Sequence, residues 1–269
     1  RRQRQMCIRD RAIDKDKELL SVLPANNLET AGNDYYMEND AAVSADLKGI
    51  ELINSVADKE SVIELYKQFG TSAVTAIGSL NWRTAGFVAT NNGAKLTADD
   101  SAKIARFVTL CDAYSIPVVT FVDSEGFEKS SAAELAGSIR DSAKLAQAYA
   151  SATTAKIAVV TGKAYGSAYV ALASTAAGSD FTFAWEGAVI APTTPEAAVV
   201  FLNGVSEDNA KQAQEYADNE ADAFTAAANG YVDRVITAED TKSALTSAIE
   251  ATSSKRVVTP AKKHVNFVY

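Results

Sequence analysis

Apolar residues recur along the chain with two different periods, and each period predicts one kind of element. Residues 99–114 have helical spacing, with four apolar side chains at i, i+3, i+4 and i+7. These four are Ile104, Phe107, Val108 and Cys111. The continuous apolar run at 117–122 follows this helix and predicts a buried strand.

The same two patterns predict a second helix and strand. Residues 131–150 have helical spacing, and residues 156–161 form another apolar run. The helix over 131–150 is expected to bury one stripe, formed by Leu135, Ile139, Ala143 and Ala146. A further helix, rich in alanine, is expected to start at Gly166.

Two earlier strands and a helical tail complete the predicted order. Strands over 72–78 and 84–89 are expected to be joined by a turn around Asn81. The residues after Pro195 are expected to be helical. Strands that alternate with helices in this way predict an α/β domain, with helices packed on sheets.

The amino-terminal fifty residues differ from the remainder. Residues 12–50 are polar and contain turn formers, so we interpret them as a linker or surface arm that precedes a domain over 51–269. Residues 1–11 start without Met, and 6–11 match the translation of a transposon end used in sequencing libraries. We interpret 1–11 as adapter-derived; the alternative is a basic amino-terminal arm.

Composition excludes several classes of function. The 269 residues carry 26 Lys and Arg against 34 Asp and Glu, and a net charge of −8 argues against a nucleic-acid partner. Two cysteines and one histidine, His264, leave too few ligands for a Cys- or His-based metal site. No apolar run approaches the ~20 residues of a membrane span, so we expect a cytoplasmic protein.

Two loops follow buried strands, where α/β folds tend to place their sites. They are residues 122–127 and 162–169. In the second loop a helix begins with the small residues Gly166, Ser167 and Ala168, whose backbone N–H groups could hold a developing oxyanion. The alternative is that a turn from strand to helix simply requires a glycine.

Other candidate residues favour structural interpretations. Cys111 lies on the apolar stripe of its helix and is expected in the core. His264 is expected in a solvated tail or a subunit contact, and Asp99 to Ser101 are expected to cap a helix. Asn91 and Asn92 indicate a turn. Without a nearby histidine, Ser167 is not expected to be a hydrolytic nucleophile.

A series of motifs resembles the carboxyltransferase component of biotin-dependent acyl-CoA carboxylases and decarboxylases. The matching segments include SAKIARF at 101–107, CDAYSIP at 111–117, VD and GF within 122–127, KAYGSAY at 163–169 and KKH at 262–264. The resemblance extends over nearly everything after residue 15, and the ordered series is specific where any one motif would be weak.

The resemblance implies a crotonase-like fold, the ββα superhelix of the ClpP/crotonase type. Members have two such domains, of which this chain resembles the second, carboxyl-terminal one. In the family, acyl-CoA sits mainly on the first domain and biotin on the second, across a subunit interface. The implied partners are a biotin carboxyl carrier protein and a biotin carboxylase or decarboxylase membrane subunit, within a homohexamer, and the fragment alone is expected to be inactive.

The resemblance also assigns site residues. The biotin-side oxyanion hole falls on the N–H groups of Ser167 and Ala168, directly after Gly166. These groups would stabilise negative charge on the ureido oxygen when carboxybiotin gives up its carboxyl group. Positions expected to contact substrate or cofactor are Gly126, Phe127, Tyr165 and Val170. Val170 would face the acyl group, where an apolar side chain suits a short aliphatic substrate, and no metal is expected.

Several positions depart from the family pattern. Glu125 replaces a proline, Lys129 and Ser130 replace Pro-Gly, and Ser167 replaces the second glycine of a Gly-Gly pair. Glu186 stands where the family has proline, and 191–195 is also unusual. Backbone contacts at Ser167 would survive such a change. The loop changes leave the acyl group open and suggest a divergent branch, such as one serving an anaerobic decarboxylase complex.

Two alternative functions remain open at this point. Another crotonase-like acyl-CoA enzyme, a hydratase or isomerase, would rely on a carboxylate as acid–base group, and Glu125 is the best candidate. A non-catalytic scaffold would bind the biotin carrier without turnover.

Overall fold

The computed structural model describes residues 2–29, 37–90 and 93–258, and it shows strands of one sheet alternating with helices. The helices are α1 (Arg2–Val22), α2 (Gly49–Val56), α3 (Ala98–Ala113), α4 (Ser131–Leu135), α5 (Ser138–Ser151), α6 (Gly166–Leu172), α7 (Pro195–Asn203), α8 (Asn209–Asn219), α9 (Ala223–Ala228) and α10 (Thr241–Thr252). The strands are β1 (Ile63–Leu65), β2 (Ala73–Leu80), β3 (Arg83–Thr90), β4 (Val118–Ser124), β5 (Lys156–Tyr165), β6 (Phe181–Trp185), β7 (Val189–Ala191) and β8 (Arg234–Ile236). The α/β class predicted from the sequence is confirmed.

The sheet has the order β1-β2-β3-β4-β5-β6-β8, and β7 pairs with the far end of β5. The strands β1, β2 and β3 are antiparallel, whereas the pairings from β3 onward are parallel. The predicted hairpin around Asn81 joins β2 to β3, and both turn residues have positive φ, 48° at Asn81 and 72° at Trp82. This backbone follows the right-handed twist of the two strands.

Successive residues of the central strands point to opposite faces of the sheet and bury two separate cores. Val122 of β4 packs on one face with Phe107 of α3. Its neighbour Phe121 packs on the other face with Leu245 of α10. Because helices cover both faces, β4 is buried along its whole length, which explains why its sequence is a continuous apolar run.

The helix predicted over 99–114 is confirmed as α3, and the four residues of its apolar stripe are fully buried. Cys111 is among them and packs in the core as expected. The helix begins with a capping box. Thr97 accepts a hydrogen bond from the Asp100 N–H, and the Asp100 carboxylate accepts one from the Thr97 N–H at 2.8 Å. The N-cap is therefore Thr97, two residues before the acidic pair.

The single helix predicted over 131–150 is wrong. Gly137 adopts a left-handed conformation at φ 92° and divides the segment into α4 and α5. The buried face of α5 is formed by Ser138, Asp141, Leu145 and Tyr149. Leu135 is 90% exposed and Ile139 is 69% exposed, so the predicted stripe faces outward. The break at Gly137 gives α5 a different orientation from α4. A helical periodicity counted across the break therefore cannot identify the buried face of either helix.

The amino-terminal segment and the tail after Pro195 both contain elements that the sequence patterns did not predict. The segment predicted as a linker begins inside a helix, because α1 continues without a break from residue 2 across the proposed boundary at 11/12. The tail after Pro195 contains the strand β8 as well as helices, and the sequence patterns missed the short strands β1, β6, β7 and β8. The boundaries at 11/12 and 50/51 stay predictions.

Candidate active site at the ends of β4 and β5

The two loops singled out in the sequence meet at one edge of the sheet. Their strands β4 and β5 are parallel neighbours, so their carboxyl ends lie side by side. The register shifts near the ends, from Val122 opposite Val160 to Ser124 opposite Ala164. The longer path of β5 through this bulge makes room for the side chain of Asp123.

Asp123 occupies the bulge and connects three segments of the chain. Its carboxylate accepts a hydrogen bond from the Lys163 N–H at 2.9 Å and forms an ion pair with the Lys48 Nζ at 3.0 Å. A Cβ at Gly162 would lie 2.5 Å from the Asp123 Oδ1, so a side chain at that position would displace the carboxylate. The Asp123 side chain is only 8% exposed, and these contacts compensate its burial.

A second ion pair crosses between the two loops at the surface. The Lys163 Nζ lies 2.7 Å from the Glu125 Oε1, and the side chains are 48% and 33% exposed. The hydrogen bond to Glu125 raises the pKa of Lys163, although partial burial opposes the shift. The glutamate that stands in place of the family's proline is therefore engaged by a lysine of the KAYGSAY motif.

The segment 125–128 runs alongside residues 93–96. The Leu96 N–H donates to the Gly126 carbonyl at 2.9 Å, and the Glu128 N–H donates to the Leu96 carbonyl at 2.9 Å. Gly126 has φ +108°, a conformation that side chains rarely adopt, and a Cβ there would lie 3.7 Å from the Tyr165 carbonyl oxygen. The first loop is thus placed directly against the residue that precedes α6.

The helix α6 begins as predicted at Gly166, immediately after β5. Gly166 has φ +57°, and a Cβ there would lie 3.0 Å from the Pro192 carbonyl oxygen. The N-cap residue Tyr165 makes no side-chain capping hydrogen bond. Because the first N–H groups of a helix lack intrahelical acceptors, the amides of Ser167 and Ala168 have no backbone acceptor within α6.

Exposure is uneven across the predicted site residues. Ser167 and Val170 are exposed, the latter by 52%, whereas Gly166 and Phe127 are half-buried. Ala168 is fully buried and belongs to the core packed under α6. A ligand would therefore approach from the Ser167 side. The structure brings together both loops that the sequence predicted.

Two tyrosines, one at the N-cap of this helix and one within it, are both engaged in packing. Tyr165 is 6% exposed and packs with Ala191 and Ala221, and its burial raises its pKa above the ordinary value. The Tyr169 hydroxyl donates to the Tyr231 carbonyl at 2.8 Å, and burial raises its pKa to about 12. Both hydroxyls stay protonated at neutral pH, so they act here as neutral groups.

Sequence reasoning missed Lys48, because it lies 75 residues from Asp123 in a segment interpreted as an arm. No motif marks this lysine. His264, Asn91 and Asn92 lie outside the described residues, so their expected roles stay predictions. Within the described ranges, there is no group of three or more His, Cys, Asp and Glu side chains placed to hold a metal ion, and no helix long and apolar enough to cross a membrane.

Comparison with protein families identifies the chain. Residues 10–267 match the model of the carboxyl transferase domain. The chain belongs to the carboxyl transferase family. Its resemblance to biotin-dependent acyl-CoA carboxyltransferases, stated above from motifs, is thereby confirmed.

Two relatives show how far the similarity extends. The propionyl-CoA carboxylase carboxyltransferase subunit of Haloferax mediterranei is 34% identical, over 96% of this chain and 54% of that protein. The methylmalonyl-CoA carboxyltransferase 12S subunit of Propionibacterium freudenreichii subsp. shermanii is 35% identical, over 93% of this chain and 52% of that protein. The chain thus spans about half the length of these relatives, consistent with the carboxyl-terminal half expected from its motifs.

Solved carboxyltransferase structures share the fold. The transcarboxylase 12S crystal structure with hydrolysed methylmalonyl-coenzyme A bound has a TM-score of 0.83 and 34% sequence identity, over 95% of this chain and 53% of that one. The beta subunit of geranyl-CoA carboxylase from P. aeruginosa has a TM-score of 0.72 at 21% identity, a likeness of fold. The crotonase-like fold expected from the resemblance is confirmed.

Proposed function

We propose that this chain supplies the biotin-side half of a site that moves a carboxyl group between carboxybiotin and a short-chain acyl-CoA. The observation that carries the proposal is the uncapped first turn of α6, whose Ser167 end is exposed beside the loop at Gly126. Membership of the carboxyl transferase family supports the same chemistry.

The residues present fit a neutral, planar cofactor whose oxygen becomes negatively charged. The N–H groups of Ser167 and Ala168 follow one another at the start of α6, where Ser167 is exposed and Ala168 is buried. When bound, carboxybiotin would supply the activated carboxyl group, and its ureido oxygen would become negatively charged as that group leaves. The two amides would stabilise this charge without moving, and each such donor is typically worth ~3–4 kcal/mol of barrier.

The loop at Gly126 would complete the binding surface. Gly126 lies close to the Tyr165 carbonyl, Phe127 is half-buried, and the Tyr165 side chain is buried with a neutral hydroxyl. Val170 is exposed on α6 and offers an apolar contact to a short acyl chain. None of these side chains is a general base, so the chain's role would be to bind, orient and stabilise charge.

The position of Glu125 favours carboxyl transfer over the hydratase or isomerase alternative. A general acid or base must be free to exchange a proton with the substrate. The Glu125 carboxylate is paired with the Lys163 ammonium at 2.7 Å, and that contact raises the pKa of the lysine. With Glu125 engaged in this way, catalysis at this site would depend on backbone hydrogen-bond donors rather than on a side-chain acid or base.

We extend the proposal to the assembly. The acyl-CoA half of the site would come from the half of the relatives that this chain does not cover. The partners would be a biotin carboxyl carrier protein and a biotin carboxylase or decarboxylase membrane subunit. A homohexamer would follow the transcarboxylase 12S structure, which is described as a hexamer assembly. The cytoplasm is the proposed location.

The test joins this chain to the amino-terminal half of the Propionibacterium 12S subunit and measures transfer of labelled carboxyl from a carboxylated biotin carrier to propionyl-CoA. We expect label in the acyl-CoA, and we expect avidin to abolish the transfer. Hydration of an enoyl-CoA that avidin leaves unchanged would contradict the proposal and favour the hydratase. Carrier binding without transfer would instead favour the scaffold.

A further inference from the structure

The ion pair between Glu125 and Lys163 stands on the loops that form the proposed site. Glu125 follows β4, and Lys163 lies near the end of β5, two residues before Tyr165. The lysine stem crosses over Gly93, since a Cβ there would lie 3.6 Å from the Lys163 Cδ. The contact therefore joins β5 to the loop 122–127, and the lysine stem passes over the first residue of the segment 93–96.

What the pair holds in place is the segment 125–128. Its hydrogen bonds with Leu96 attach one edge of the segment to residues 93–96. The ion pair attaches Glu125 to the strand that leads into α6. Because a Cβ at Gly126 would lie 3.7 Å from the Tyr165 carbonyl oxygen, the segment lies close to the residue that precedes Gly166 and Ser167.

We propose that Glu125 and Lys163 are a positioning pair, which holds the segment 125–128 at the working distance from the amides of α6 and so sets the fit of the biotin group. The catalytic consequence rests on the proposed function, whereas the pairing and its effect on the loop do not. The pair replaces the stiffness that a proline at position 125 would provide through its fixed φ.

A second ion pair, between Asp123 and Lys48, lies next to the first one. Asp123 lies between Lys48 and the backbone of Lys163, so Lys163 is held at its main chain and at its side chain by different carboxylates. Removal of Glu125 leaves the Lys163 main chain in position and frees only its ammonium. The effect of the Glu125–Lys163 contact can therefore be measured separately from the fold of β5.

The first experiment measures amide hydrogen exchange in this chain, using Glu125→Gln, Lys163→Met and the double variant. Pairs of this exposure are worth a modest energy, so we expect exchange at Leu96 and Glu128 to rise about 1.5- to 5-fold in each single variant. The double variant should exchange no faster than either single one, and about 1 M salt should remove the differences.

Two controls keep this result specific. Lys163→Arg retains the charge and should restore protection to within about twofold of the unsubstituted chain. Lys129→Ala removes a charge from the adjoining loop, where Lys129 has no ion pair among the described residues, and should leave exchange unchanged. Additive effects of the two single variants, or an equal effect of Lys129→Ala, would overturn the positioning pair.

The second experiment measures kinetics in the joined protein. With Glu125→Gln we expect the KM for the biotinylated carrier to rise about 1.5- to 5-fold and kcat to stay within about twofold. If kcat instead falls by about two orders of magnitude or more, Glu125 is an acid–base group and the proposal is overturned. If the joined protein transfers no carboxyl at all, the proposed function fails, and the exchange experiment still decides whether the pair positions the loop.

Discussion

Gly166 determines the backbone path from β5 into the first turn of α6, where the amides of the proposed site lie. Its φ of +57° turns the chain from β5 into α6 within a single residue, and its missing side chain lets the Pro192 carbonyl approach closely. The helix begins at Gly166, so the amides of Ser167 and Ala168 lie in its first turn. At this position glycine is required both by the backbone conformation and by the contact behind it.

The first prediction follows from that geometry. Gly166→Ala should lower the free energy of unfolding by about 1–2 kcal/mol, because alanine is strained at this φ. It should also reduce carboxyl transfer in the joined protein, since the Pro192 segment and the first turn of α6 must move apart. Chemical denaturation and initial rates measure the two effects.

Gly187 provides a matched control for this prediction. A Cβ there would have no neighbour within 4 Å, and Gly187 is not among the glycines with positive φ. Gly187→Ala should therefore leave both stability and rate nearly unchanged. Equal losses in the two variants would show that the conformation of Gly166 has no special role.

At the scale of elements, the site depends on how β4 and β5 end. The two strands run in parallel until a bulge displaces the end of β5, and Asp123 fills the space. Lys48, from just before α2, reaches this carboxylate across the sheet edge. Lys48, which lies in an amino-terminal segment, thereby stabilises the loop that carries the proposed biotin-side site.

Lys48→Met removes the ion pair with Asp123 and should lower the stability of the protein. Loss of the ion pair leaves Asp123 with its hydrogen bond from the Lys163 N–H, so we expect a loss of about 1–3 kcal/mol in stability. Thermal and urea unfolding measure it. The control is Lys59→Met, which removes an exposed lysine of the following segment. A stability loss at Lys48 no larger than that at Lys59 would contradict the role of Asp123 as a connecting group.

The sequence predicted those elements whose periodicity is uninterrupted. The stripe of α3 and the apolar run of β4 each specify one environment along their whole length, and both predictions are confirmed. Prediction failed over 131–150, where the left-handed Gly137 resets the helical phase. It also failed for three-residue strands such as β8, which are too short to show a period.

The same distinction applies to the candidate site. The two loops could be found because they follow buried strands, and the family motifs assigned roles to their backbone groups. Lys48 could not be found, because it lies 75 residues before Asp123 and a single lysine forms no sequence pattern. The pairing of Glu125 with Lys163 also required the fold, since 38 residues separate them in sequence.

At the scale of the whole molecule, this chain covers about half of its relatives and would contribute one side of a shared site. Its contribution is a rigid one. The core under α6 includes the fully buried Ala168, so the amides cannot be rearranged without disturbing the packing between α6 and the sheet. Preorganised donors of this kind stabilise a transition state without a cost of reorganisation.

The most direct measurement replaces the amide that precedes the Ala168 side chain with an ester, by incorporating the α-hydroxy analogue of alanine into the joined protein. The ester removes one N–H and preserves the shape of the buried residue. The account predicts that the turnover rate for carboxyl transfer falls about 100- to 1,000-fold, with carrier binding within about threefold and an unchanged fold by circular dichroism. An ester at Ala171, later in the same helix, should reduce stability modestly and leave turnover nearly intact. Full activity with the ester at Ala168 would contradict the oxyanion role of these amides.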